Sequence, residues 1–137
     1  MMEHPCVVRW RKAVESKDIS ALAPILTESV VLFSPIKHEP YSGHNAVITY
    51  LSGAFKAFIN PSFRYINILS GAKSASLEFN VLIDGDLVDG IELIAWSDHG
   101  KITEIKLLLR PLNVINKIHQ TMNIKHKSQS ASIARDK

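Results

Sequence analysis

The chain has 137 residues, 46% of them apolar and 21% charged, with a net charge of +3 and a single cysteine. That length suits one domain with a core of its own, and the apolar fraction excludes a disordered chain. No apolar run approaches the roughly 18 residues of a membrane-spanning helix, and Cys6 has no cysteine partner for a disulfide or a zinc site.

The charge excess is confined to the end of the chain. Within residues 123–137, Lys125, Lys127, Arg135 and Lys137 stand against Asp136 alone, so residues 1–122 carry no net charge. Residues 1–122 are expected to form a single domain, followed by a basic, disordered tail at 123–137. A folded basic face that would track phosphates is not indicated, so nucleic acid is not an expected partner. The opening M-M-E-H-P-C lacks a basic region followed by an apolar one, and a cytoplasmic protein is expected.

Pro5 suits the first turn of a helix, and Val7, Trp10 and Val14 then recur at helical spacing. Asp18 is an N-cap for a second helix, Ile19 to Leu26, which Pro24 should bend or break. Residues 30–34 read as a strand, and the loop P-I-K-H-E-P-Y-S-G follows with Ser34 at the joint. Val47, Leu51, Ala54 and Phe58 form the apolar stripe of a helix over about 44–58.

The second half turns to β-branched and aromatic residues. Strands are predicted at Phe63 to Leu69, Ser74 to Ile83, Leu87 to Trp96 and Ile102 to Leu109. Turn signals separate them at Ser70-Gly71, Asp84-Gly85-Asp86 and Asp98-His99-Gly100. Gly90, inside an apolar strand, is a candidate bulge. Val114, Ile115, Ile118 and Met122 suggest a short C-terminal helix. Helices first and a strand meander later give an α+β architecture. On the third of these strands Val88, Glu92, Ile94 and Trp96 share one face, and Leu87, Ile91, Leu93 and Ala95 share the other. A sheet apolar on both faces needs cover on both, so a homodimer through the outer face is predicted.

The order of these elements resembles the nuclear transport factor two-like superfamily, most closely its SnoaL-like and ketosteroid-isomerase-like branch, over residues 5–122. The resemblance is carried by Lys17-Asp18-Ile19, Leu32-Phe33-Ser34-Pro35 and Pro40-Tyr41-Ser42-Gly43. Asp98-His99-Gly100-Lys101-Ile102-Thr103-Glu104-Ile105 and Arg110-Pro111-Leu112 complete it. It implies a cone: a strongly curved, mixed but mostly antiparallel sheet wrapped by three helices of the N-terminal half around an apolar pocket. In the family's isomerases a strand-end Asp removes a proton next to a ketone. A Tyr and a protonated carboxylic acid stabilise the enolate oxygen. By the resemblance, Ser34 stands in place of that base, Trp10 in place of the Tyr and Glu92 in place of the acid. A Ser hydroxyl is too weak a base for that step, and no group that would activate it is evident.

In a closed cone Glu92 would face the pocket, where desolvation would raise its pKa and let it act as a hydrogen-bond donor, acid or base. Alternatively it pairs with Arg110, Lys106 or a helix residue, or lies at an open rim. Trp10 either satisfies its indole N–H within the core or reaches a ligand oxygen beside Glu92. His38 either swings over the pocket mouth as an acid–base group or is a solvated loop residue. Cys6 reads as a buried, inert thiol, and Arg110 as an anchor for a carboxylate ligand or a partner for an acidic neighbour. The histidines show no paired metal spacing, and Asp84-Gly85-Asp86 lacks the later ligands of a calcium loop, so neither metal nor cofactor is expected.

The expected function is binding of a small apolar molecule. Trp10, Val14, Phe33, Leu51, Phe55, Phe79, Val81, Ile94, Trp96 and Leu107 would line the site, with Glu92 and Ser34 as polar anchors. The alternative is a cofactor-independent isomerase, cyclase or lyase acting on a small hydrophobic carbonyl-type substrate, with Glu92 as acid or base and His38 or Trp10 assisting. A third reading is a dimeric module whose cone is filled by its own side chains.

Overall fold

The computed structural model describes residues 3–120. Helix α1, Pro5–Glu15, begins at His4, whose Nδ1 accepts a hydrogen bond from the backbone N–H of Cys6 at 3.1 Å. Its buried stripe is Cys6, Val7, Trp10, Ala13 and Val14. The helix ends in paired return bonds, Lys17 N–H to Val14 and Asp18 N–H to Ala13, with Lys17 at φ 58°. Asp18 then caps α2, Ile19–Leu22, by accepting from the Ser20 N–H. The second helix is shorter than expected. Pro24 turns the chain into a 3-10 segment, Ala23–Ile25, and the strand starts four residues earlier than predicted, as β1, Leu26–Phe33.

A two-residue strand, β2 (Tyr41–Ser42), precedes α3, His44–Phe58. Four strands follow: β3 (Arg64–Ser70), β4 (Ser74–Ile83), β5 (Asp86–Trp96) and β6 (Ile102–Arg110). The hairpin joining β4 to β5 is a two-residue turn with Asp84 at φ 52° and Gly85 at φ 85°. Positive φ at both positions matches the twist of the flanking strands. A fourth helix, α4, covers 112–120; Met122 and the tail at 123–137 lie outside the described residues.

The six strands form one curved, unclosed sheet in the order β2-β1-β6-β5-β4-β3. Only β1 and β6 run parallel; the other neighbours are antiparallel. The fold is therefore the α+β cone expected. Alternation puts Leu77, Phe79 and Val81 of β4, and Val88, Glu92, Ile94 and Trp96 of β5, on the buried face. Toward one end, α1 and α2 pack on Val30, Ile94, Trp96 and Ile102. Toward the other, Val114, Ile115 and Ile118 of α4 pack with Phe58, Phe79, Val81 and Val88.

Gly90 is not a bulge. It keeps register with Phe79 on one side and Leu109 on the other, and the β5–β6 irregularity falls instead between Ala95 and Trp96. Gly90 serves a different need. A Cβ there would stand 2.3 Å from the Phe79 ring and 2.8 Å from Leu109, so its missing side chain is the space those two fill.

Candidate functional site

Glu92 is the only polar or charged residue in the buried set of the described chain, 9% exposed at the centre of β5. Two elements bring donors to one of its oxygens. From α1, the Trp10 indole Nε1–H donates to Oε1 at 3.1 Å; from β3, the Tyr65 hydroxyl donates to the same atom at 2.6 Å. The other oxygen, Oε2, has no hydrogen-bond partner among the described residues. Neither Arg110 nor Lys106 takes part: Arg110 pairs with Asp89 at 3.0 Å, and the Lys106 ammonium lies over the Phe33 ring.

Burial pushes the Glu92 carboxyl up to about 7, and the hydrogen bonds from Tyr65 and Trp10 hold back part of that rise. Burial, and then the neighbouring carboxylate, push the Tyr65 phenol well above its ordinary value, so it remains a donor. Near neutral pH the carboxyl thus exchanges a proton, and Oε1 is already committed as acceptor to two donors. The proton therefore belongs on Oε2 when Glu92 is neutral.

Oε2 belongs to a side chain that lines a cavity of about 30 Å³ between α3 and the buried face of the sheet. Trp10, Leu51, Phe55, Phe79, Leu107 and Glu92 of the expected lining are there, joined by Leu32, Tyr50, Ala54, Phe58, Ile59, Phe63 and Ile105. The remaining expected residues stand elsewhere. Val14, Ile94 and Trp96 are packed into the core on the α1 side, where the Trp96 indole donates to the Ala72 carbonyl and the His4 ring stacks on Trp96. Val81 packs beneath α4. Phe33 is half-buried on the opposite face of the sheet, in register with Lys106, because Leu32 is the inward residue of that pair.

Ser34 follows β1, where its hydroxyl accepts from the Ile36 N–H at 3.3 Å. His38 is exposed in the loop beyond, and neither lines the cavity. Cys6 is buried, with its thiol donating to the Gly100 carbonyl at 2.9 Å, and burial pushes that thiol up. Among the described residues no group of three or more His, Cys, Asp or Glu is placed to hold a metal.

Tyr65 went unnoticed as a site residue from the sequence. Its strand reads Arg64-Tyr65-Ile66-Asn67-Ile68-Leu69, with apolar residues at both parities. A register shift between Tyr65 and Asn67 decides which of them turns inward. The available signal was the polar tip of an aromatic residue on a strand beside a buried acid.

The profile of a family described as SnoaL-like domain matches residues 7–105. Solved structures are similar over nearly the whole chain. A steroid delta-isomerase from Pseudomonas aeruginosa is 26% identical with a TM-score of 0.84, covering 92% of each chain. An uncharacterised protein with a cystatin-like fold from Silicibacter pomeroyi is 24% identical with a TM-score of 0.85, covering 96% of this chain and 92% of that one. An NTF2-like protein of unknown function from Mesorhizobium loti, 18% identical with a TM-score of 0.68, shares the fold over 81% of this chain and 100% of its own. No curated protein matches.

The raised pKa has a consequence for stability. A carboxyl at about 7 when folded and about 4.5 when unfolded binds more protons in the folded state between those values. Its contribution is whole below pH 4.5 and is lost as pH rises through 7. Relative to Glu92→Gln, the wild type should lose about 2–3 kcal/mol between pH 5 and pH 8. Urea unfolding of both proteins at the two pH values measures this; parallel changes in the two proteins would refute the assignment.

Proposed function

The chain belongs to the SnoaL-like domain family, and on that premise we propose that it binds a small apolar molecule through a carbonyl oxygen. The observation that carries this reading is the Glu92 carboxyl. One oxygen is fixed by Trp10 and Tyr65, and the other is unpartnered on a side chain that lines an otherwise largely apolar cavity. A neutral Glu92 donates from Oε2 to the ligand oxygen, and the surrounding Leu51, Phe55, Phe79 and Leu107 supply apolar burial.

A cavity of about 30 Å³ has room for little more than water, so a ligand enters by moving a wall. The segment between α3 and β3 is the wall that carries Ile59 and Phe63, next to Phe58 at the end of α3. Asn60 and Ser62 stitch it to the backbone of Leu82 at 2.9 and 2.8 Å, at an exposed rim of the sheet.

A second reading, catalysis, draws on the 26% identity to a steroid delta-isomerase. There Glu92, titrating at about 7, is itself the acid or base. Ser34 cannot replace a carboxylate base, and binding without turnover is the reading this site supports better.

The chain is also proposed to pair with a second copy through the outer face of the sheet. That face carries a shallow hollow of about 470 Å³ bordered by Leu69, Leu93 and Ala95, with Ile91 and Leu108 paired nearby. Light scattering should give a dimer for the wild type and a monomer for Leu93→Arg; a wild-type monomer overturns the pairing.

For the ligand site the probe is 2-acetonaphthone, an apolar aryl ketone. Its affinity should fall about thirty-fold from pH 6 to pH 8.5 as Glu92 loses its proton, whereas Glu92→Gln, whose amide donates at every pH, should show no such fall. A pH-independent affinity in the wild type contradicts the proposed donor. Isomerisation of a β,γ-unsaturated ketone that collapses by orders of magnitude in Glu92→Gln would favour the catalytic reading.

A further inference from the structure

Besides Glu92, one other side chain of the cavity lining carries a polar atom without a hydrogen-bond partner among the described residues. Tyr50 stands on α3, across the cavity from β5, and its side chain is part of the lining. Its hydroxyl makes no hydrogen bond among the described residues. Trp10 also has a polar atom there, but its N–H is spent on Glu92. The site thus has two open polar positions, on facing elements, with apolar side chains between them.

The surroundings of Tyr50 fix its ring and leave its hydroxyl unused. The ring lies 4.8 Å from that of Tyr41, tilted by 38°. Tyr41 is itself held in register with Leu32 and lies beneath the Lys37 ammonium at 4.0 Å. Leu51 and Ala54, its neighbours on α3, are apolar and buried. Burial, and then Tyr41, push the phenol up to about 12, so Tyr50 is a neutral hydroxyl at any physiological pH. The phenol is neutral, has no protein partner among the described residues and keeps accessible surface, so its hydroxyl is free to bond an oxygen of a molecule that enters the cavity.

We propose that Tyr50 is a second ligand-binding residue, and that the ligand class is an apolar molecule with two separated oxygen functions: a carbonyl taken by Glu92 and a second oxygen taken by the Tyr50 hydroxyl. This rests on the proposed carbonyl site at Glu92 and adds the opposite end of the ligand. The two anchors select for the separation of the oxygens: a ligand whose two oxygens span the cavity pairs both groups, and one with a single oxygen leaves one of them without a ligand partner.

The test compares 2-acetonaphthone with its 6-hydroxy and 7-hydroxy derivatives at pH 6, by fluorescence titration or calorimetry. Wild-type protein should bind at least one hydroxy ketone about fivefold tighter than the parent, the effect of one added hydrogen bond between neutral groups. Tyr50→Phe keeps the ring and its packing on Tyr41, so it should bind the parent ketone within about twofold of wild type and lose the preference. Equal wild-type binding of all three ketones, or a preference that survives in Tyr50→Phe, overturns the role of Tyr50 and leaves the Glu92 site standing. Failure of all three to bind overturns the Glu92 site, and this inference with it.

Discussion

Removing one carboxyl from water is the constraint on which the rest of this interior depends. An isolated carboxylate in an apolar wall costs several kcal/mol, and the molecule meets that cost in two ways at once. Trp10 and Tyr65 donate to one oxygen, which favours the charged form; burial favours the neutral one and outweighs them. The result is a group balanced near neutrality. Neither donor alone would hold the side chain in one orientation, because a single hydrogen bond leaves the carboxyl free to rotate. Two donors on Oε1 leave Oε2 as the atom with nothing to do inside the protein.

The fold exists in large part to bring those three side chains together from distant places in the chain. Trp10 arrives on a helix whose start is set by His4 and Pro5 and whose end is set by the turn at Lys17 and Asp18. Glu92 arrives at the middle of the longest strand, flanked on both sides by ladders without interruption at that residue. Tyr65 arrives on the edge strand, beyond a ladder that is irregular next to it. Helix α3 then crosses the buried face and closes the cavity from above, while α4 packs under Val81 and Val88 and seals the far end. Trp96, Ile94 and Val14 have become core for the same reason: the cone is filled wherever α1 and α2 reach.

What could be read from the sequence was what depends on local chemistry. The Asp18 cap, the Asp84-Gly85 turn, the break at Pro24 and the apolar stripe of α3 each need only a few neighbouring residues, and each is present. The placement of Glu92 was also legible, since a charged residue at the parity of Val88, Ile94 and Trp96 must turn inward with them. Phe33 shows where the same logic was misapplied: Leu32 holds the inward place, so its neighbour in the strand faces the other side, and Ser34 lies past the end of β1. Gly90 was read as a bulge, when its reason is the volume of Phe79 and Leu109 on either side. Tyr65 depended on a register shift between strands, and Tyr50 on which atoms of a helix find partners; neither is a property of the local sequence.

The proposed site depends on the protonation of one group. A ¹³C-detected NMR titration of the side-chain carboxyl, assigned with the Glu92→Gln variant as its blank, measures it directly. Glu92 should titrate at about 7 in the folded protein, with the indole N–H of Trp10 shifting over the same pH range. A midpoint near the ordinary 4.5, or a Trp10 signal indifferent to it, would show Glu92 solvated and ionised, and the buried donor at the centre of this account would not exist.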